Sequence, residues 1–286
     1  MCCFEGKYPD KLLKIKEYPR EVYYRGNVNL LNSEKIIAIV GSRECSEYGR
    51  KYARIFAKAL AKEGVTIISG LAIGIDTAAH YGSVCEKGGT IAVLGGGLNR
   101  IYPKENLWLY NEIINNNGCI ITEHEDNDET VVANFPKRNR IISGIADAVL
   151  VIEAKHRSGS KITARYAFEQ GKKVYCIPHN LDDVNGVGIN ELILDGAKMV
   201  TSAGQILKDL YGEIKNKEEV VEQKCAVPGK YQKIYNLLEE KELSIDEVSK
   251  KMNESISATG AILTIMEIEG YIKRNVGNTF KIKGAN

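Results

Sequence analysis

The residues best suited to chemistry in this 286-residue chain are glycines, hydroxyls and guanidinium groups gathered in a few short segments. Gly41-Ser42-Arg43, Gly70-Leu71-Ala72-Ile73-Gly74-Ile75-Asp76 and Gly95-Gly96-Gly97 each follow a short apolar run. Glycine at such a place lets backbone N–H groups approach and point at an anion, and a helix start behind it adds partial positive charge. Ser42, Gly70, Gly74 and Gly96 are therefore candidate phosphate-facing positions, and Arg43 supplies charge. Farther along, Asn134-Phe135-Pro136-Lys137-Arg138-Asn139-Arg140 and His156-Arg157-Ser158-Gly159-Ser160-Lys161 add cations, amides and hydroxyls. A nucleic-acid strand would use Lys137, Arg138 and Arg140 for phosphate charge and Asn139, Ser158, Gly159 and Ser160 for directional bonds, with Phe135 stacking on a base. Phe135 fits equally well as a core residue beneath its loop.

Tested residue by residue, the nucleotide fingerprints fail. Gly95-x-Gly97-x-x-Arg100 misses the third glycine of the dinucleotide pattern, and Ser69 stands where a ribose-binding acid would be wanted. Gly6-Lys7, Gly171-Lys172 and Gly229-Lys230 are not followed by Ser or Thr, so no P-loop is present. His80, His124, His156 and His179 have no metal-ligand spacing, and the seven cysteines (Cys2, Cys3, Cys45, Cys85, Cys119, Cys176, Cys225) contain no C-x-x-C pair. No cofactor and no metal is expected. Asp76 reads as a charge complementing a helix N-terminus rather than a base, and His80 as a residue that packs or caps inside its helix.

What must position these loops is a parallel sheet. From residue 36, apolar β-branched runs alternate with amphipathic stretches, with strands expected at 36–40, 65–69, 90–94, 119–122, 148–153, 173–177 and 198–201. A helix over 48–63 places Tyr52, Ile55, Phe56, Ala59 and Leu60 at core-facing spacing and closes on Gly64. Residues 1–35 read as an N-terminal extension and 36–210 as a doubly wound, Rossmann-like α/β domain. Residues 211–229 are polar and end in Pro228-Gly229, as a linker does. Within 230–286, helices at 231–241, after the cap Ser244, and at 257–269 before Gly270 precede two strands around Gly277-Asn278. That order predicts a small winged helix-turn-helix domain.

Charge is segregated although the formal net is only +2. Residues 111–133 carry six acids and no Lys or Arg, whereas 134–173 carry nine basic groups against Asp147, Glu153 and Glu169. Hydrophobic content of 44% is ordinary for a soluble protein, and no run is long enough to span a membrane. The N-terminus has no basic stretch before an apolar core, so there is no signal peptide and a cytoplasmic location is expected.

Five segments together resemble the DprA (Smf) family of DNA-processing proteins: 37–43 with Tyr48-Gly49; 69–80; 89–98 with Tyr102-Pro103-x-x-Asn106; 134–144; and 157–165. The resemblance implies an extended Rossmann fold, a homodimer, binding of single-stranded DNA during natural transformation, and loading of the RecA recombinase onto it, without enzymatic activity. It also implies DNA contacts from Arg43, Lys104 and 135–140. Ile189, Leu192 and Ile193 recur at helical spacing in 188–196 and resemble the family's dimer helix, although they would also serve to cover the sheet. The acidic 123–133 segment and His179-Asn180, where a Pro-Gly turn is common, depart from the family pattern. An alternative is a nucleotide-hydrolysing enzyme of the lysine-decarboxylase-like Rossmann family, but its Pro-Gly-Gly-x-Gly-Thr loop and following Glu have no counterpart in 157–165. A duplex-DNA regulator is the other alternative. The third helix of the C-terminal domain lacks Lys and Arg, leaving only Lys273, Arg274, Lys281 and Lys283 to reach phosphates.

Overall fold

The computed structural model describes residues 9–15, 17–212, 229–268, 271–275 and 279–282. The chain divides into two compact units, Met1–Lys215 and Asn216–Asn286. The division falls inside the segment read as a linker, of which 213–228 lies outside the described residues.

In the first unit, α1 (Asp10–Leu13) and β1 (Tyr23–Gly26) precede β2 (Ile36–Val40). Alternation then runs through α2 (Glu47–Lys62), β3 (Thr66–Ser69), α3 (Ile75–Ser83), β4 (Thr90–Val93), α4 (Leu107–Asn115) and β5 (Cys119–Thr122). It continues through α5 (Asn134–Ile145), β6 (Ala148–Val151), α6 (Gly159–Glu169), β7 (Lys173–Cys176), α7 (Val187–Leu194), β8 (Lys198–Met199) and α8 (Ala203–Tyr211). The sheet has eight strands in the order β1-β5-β4-β3-β2-β6-β7-β8, all parallel except β1.

Both faces are covered. Along β2, Ile36, Ala38 and Val40 join the core under α5, α6 and α7, while Ile37 and Ile39 join the core under α2, α3 and α8. Burial on two faces is why these strands read as unbroken apolar runs rather than alternating ones.

Two expectations change. Residues 1–35 do more than lead into the first strand: β1 adds an antiparallel edge, with Tyr23 opposite Thr122 and Gly26 opposite Cys119, and Leu12 and Ile15 enter the core. In α2 the buried stripe is Ala53, Phe56, Ala57, Leu60 and Ala61, and Ile55 is 43% exposed. Small residues form that stripe because α2 packs closely on α3, where a Cβ at Gly82 would lie 2.7 Å from the carbonyl oxygen of Arg54.

The second unit contains α9 (Gly229–Glu240), β9 (Leu243–Ser244), α10 (Ile245–Met252), α11 (Ile256–Ile268), β10 (Ile272–Arg274) and β11 (Thr279–Ile282). Its antiparallel sheet runs β10-β11-β9. Ser244 starts α10 with a complete capping box to Glu247, and Asn253 closes it in the left-handed region at φ 54°. The turn at Gly277-Asn278, the stop at Gly270 and Lys283 lie outside the described residues.

Candidate nucleic-acid interface

In an open parallel sheet a crevice forms where neighbouring strands lead their connections to opposite faces. Here that happens between β2, which continues into α2, and β6, which continues into α6 on the other face. A cleft of about 420 Å³ lies at this point, lined by the loops after β2, β3 and β6 and by the start of α5.

Arg43 stands exposed on the first loop, with its guanidinium 4.7 Å from the centroid of the Phe135 ring. Phe135 is half-buried beside Gly95, and its other neighbour is Tyr102, at 5.7 Å and tilted 37°. Phe135 is thus neither sealed in the core nor free, because a cation covers part of its surface. On the far wall, Ser158 caps α6 by accepting the Ser160 N–H at 3.3 Å, and the two hydroxyls lie 2.7 Å apart. A Cβ added at Gly159 would meet nothing within 4 Å, so this helix start opens onto the cleft with its N–H groups forward. Asn139 donates to the Gly159 carbonyl at 3.4 Å, tying α5 to α6. Lys137 is exposed, and so is Lys104, beside Tyr102.

Three of the glycines have packing reasons of their own. The Gly70 and Ala72 N–H groups both donate to Asp76 Oδ2, at 3.1 and 3.4 Å, and the Leu71 N–H donates to His80 Nε2 at 3.3 Å. Gly70 is glycine because the Arg138 guanidinium lies 2.4 Å from where its Cβ would be. Gly74, at φ +88°, packs a would-be Cβ 2.4 Å from the Ser42 carbonyl, so it lets two loops touch. Gly96 faces Thr130, and the Gly97 N–H donates to Asp128 O at 3.0 Å. The acidic segment therefore folds down over the third glycine loop and occupies it. Ser42, at 7% exposure, and Ser160, at 5%, shape the cleft from below.

Two of the expected cations are also re-assigned. Arg138 is 4% exposed, and its Nη1 donates to Gly70 O at 2.6 Å and to Val93 O, bracing two strand ends. Burial lowers its pKa to about 10, so it stays charged at neutral pH and adds positive potential under the cleft floor. Arg140 is held bidentately by Glu123 at 2.8 and 2.6 Å and donates Nε to Glu17 O at 2.7 Å. Of the basic groups in 134–173, Lys155 pairs with Glu44, Lys161 with Glu191, Arg165 with Glu169 and Lys173 with Asp209. Lys172 donates to the carbonyls at the end of α5. Among the described residues Lys137 and Arg157 keep their charge unpaired, and Arg157 lines the cleft. Arg157 and Tyr102 belong to the site although neither was singled out beforehand. Both were visible inside the family segments.

Asp76 and His80 have structural duties. Burial raises the Asp76 pKa, opposed chiefly by the Arg138 charge, and its carboxyl holds the loop after β3. His80 is wholly buried and its pKa is pushed down to about 3 by burial and by Arg138. Thr90 donates to Ile67 O at 2.9 Å, so the His80 Nδ1–H donates to Thr90 Oγ1 at 2.7 Å while Nε2 accepts. On α7, Ile189 (0% exposed) and Leu192 (3%) lie in the core, and Ile193 packs against it. Within this chain the stripe covers the sheet, the other of the two roles its spacing allows, and the side chain left outside is Leu194, at 88%.

The fold and cleft define an α/β protein with a mostly parallel sheet and a cation–aromatic cleft at its switch point. Residues 1–211 match the family model of the DNA recombination-mediator protein A, and the chain belongs to that family. Protein Smf of Escherichia coli is 42% identical over 203 residues, covering 71% of this chain and 54% of that protein. The DNA processing protein DprA of Streptococcus pneumoniae is 43% identical over 202 residues, 71% of each chain. Its X-ray structure superposes with a TM-score of 0.66, over 71% of each chain. DNA processing protein A from Helicobacter pylori, studied for its single-stranded DNA binding mode, superposes with a TM-score of 0.67 at 30% identity. That match covers 73% of this chain and 97% of the other. The chain spans about half of the Escherichia coli protein. Among the described residues no helix is long and apolar enough to cross a membrane.

Proposed function

We propose that this protein binds single-stranded DNA in the cleft between β2 and β6, acting by binding rather than by catalysis, and passes the strand to a RecA-type recombinase as a mediator. The observation that carries the reading is the Arg43–Phe135 pair facing the open N-terminus of α6. It offers one cation, one aromatic face and the open, Ser158-capped start of α6 around a single cleft. Arg43, Lys104, Phe135, Lys137, Asn139, Arg157, Ser158 and Gly159 are the assigned contacts, with Ser42, Gly70, Gly74, Gly96, Arg138, Arg140 and Ser160 holding them in place. Membership of the recombination-mediator family, and the single-strand-binding relative from Helicobacter pylori, support the ligand class.

In this reading the protein is a homodimer, and the second unit is a winged helix whose α11 serves protein contact. The absence of Lys and Arg from α11 favours a protein over a duplex. The test is equilibrium binding of matched single-stranded and duplex oligonucleotides across salt concentrations. Preference for the single strand with affinity falling as salt rises is expected, because phosphate contacts release counterions. A duplex bound equally well, or indifference to salt, would refute it.

A further inference from the structure

We infer that the single strand continues past the cleft onto a second stacking station formed by Tyr102 and Trp108 at the start of α4. The inference rests on the reading of the cleft as a single-strand site. Trp108 is the chain's one tryptophan, and 47% of it is exposed; Tyr102 is 54% exposed. Scattered surface aromatics need no explanation, but these two are connected to the cleft and interleaved with cations. Tyr102 touches Phe135, which carries Arg43 on its ring. Two residues on stands exposed Lys104, and one helical turn beyond Lys104 comes Trp108.

The path is anchored at both ends. Asn106, between Lys104 and Trp108, donates to Leu71 O at 2.8 Å and Thr77 Oγ1 at 2.9 Å, fixing the start of α4 against the loop whose Gly74 packs on Arg43. Leu109, Tyr110 and Ile113 point inward, leaving Leu107 and Trp108 outward. The indole is also held from behind: its ring meets Tyr81 edge-on at 6.0 Å, and the Arg54 guanidinium lies 4.3 Å from the Tyr81 centroid. An exposed ring kept in one orientation is a preformed platform, and every base offers it a π-face whatever the sequence. The path Arg43, Phe135, Tyr102, Lys104, Trp108 mixes cations with rings, offering a strand both phosphate partners and stacking surfaces. A protein partner would find the same apolar patch. The interleaved Lys104 and the direct contact with the cleft favour nucleic acid.

The whole 286-residue chain is titrated with oligothymidylates of about 4 and about 16 nucleotides, the range one such groove spans. Anisotropy of the labelled strand reports binding, and Trp108 emission reports contact. The longer strand should quench the tryptophan more than the shorter one. Tyr102→Ala and Trp108→Ala should each weaken it about 5- to 150-fold, the loss expected for one stacked base, without changing the salt slope. Trp108→Phe should restore binding. An abasic strand of equal length should bind parent and Trp108→Ala alike. If the parent binds the 16-mer with unchanged emission and both alanine variants, folded by circular dichroism, match it, the station does not exist and the patch belongs to another partner. If the parent binds no single strand at all, the reading of the cleft fails, and this inference with it.

Discussion

Replacing Arg138 separates two accounts of the basic segment 134–140, one in which this guanidinium meets DNA and one in which it braces the sheet. The structure supports the brace. With 4% of the residue exposed, Nη1 links Gly70 O and Val93 O, and the charge lies beside buried Asp76. Arg138→Ala removes a donor from two buried carbonyls, each worth about 1–3 kcal/mol. It also leaves the Asp76 carboxyl without its positive neighbour, a loss of about 3–5 kcal/mol for a broken buried pair. The terms overlap, so the expected cost is about 3–5 kcal/mol, or roughly 6–20 °C in Tm for a unit of this size. The pH dependence carries a signature. A carboxyl whose folded pKa is raised binds its proton more readily in the folded state, so it adds stability as pH falls. Without Arg138 the Asp76 pKa rises further, and the variant's deficit should shrink on acidification. Urea unfolding followed by circular dichroism, at neutral and mildly acid pH, measures both effects; Arg138→Gln, which keeps most of the shape, serves as the milder variant. A variant that unfolds like the parent yet binds single strands tenfold more weakly, with a shallower salt slope, would return Arg138 to the groove.

Arg43→Ala should unfold like the parent, since the side chain is exposed, but its salt slope should fall by about 0.7, the share of one phosphate contact on a single strand. Arg43→Lys should keep the slope and lose affinity, because an ammonium stacks less well on Phe135; equal slopes in all three would remove Arg43 from the site. For His80, held neutral with its pKa near 3, the unfolded chain binds a proton first as pH drops below about 6.5, so stability is lost between about pH 6.5 and 3. His80→Gln lacks this loss, and the parent's advantage over it should narrow by about 1.4 kcal/mol from pH 7.5 to 5.5; parallel pH curves would contradict the neutral buried ring. On α7, Ile189→Ala should cost about 2–5 kcal/mol as a core truncation. Leu194→Glu should leave the fold intact and, if copies meet along this helix, convert a dimer to a monomer in light scattering; an unaltered dimer would place the interface elsewhere.

The parallel strands β2 to β6 were legible because each is buried on both faces, so its composition carries the signal without help from neighbours. The edge strand Tyr23–Gly26 was not, because Arg25 and Gly26 are exposed and break the apolar run; only its pairing with β5 makes it a strand. The loops after the strands were legible, but what packs against their glycines was not. What fills each loop, Asp76 in one and 125–130 in another, comes from farther along the chain. Counting charges failed in the same way. Arg140, Lys161 and Lys173 looked available until Glu123, Glu191 and Asp209 were brought beside them by topology. Helical spacing correctly grouped Ile189, Leu192 and Ile193 on one face but cannot say whether that face meets the protein's own sheet or another copy.

The Asp76 carboxylate, seated on the N–H groups of Gly70 and Ala72, has a consequence for selectivity. A Rossmann-like scaffold inherits a cradle that fits the phosphates of free nucleotides, which are abundant in any cell. Here the cradle arrives already plugged by the protein's own oxygen, so a lone mononucleotide finds no socket in that loop. A ligand must instead gain its hold from several weaker points at once along the open part of the groove. If the proposed strand binding holds, affinity should therefore depend on the length of the strand rather than on any single phosphate.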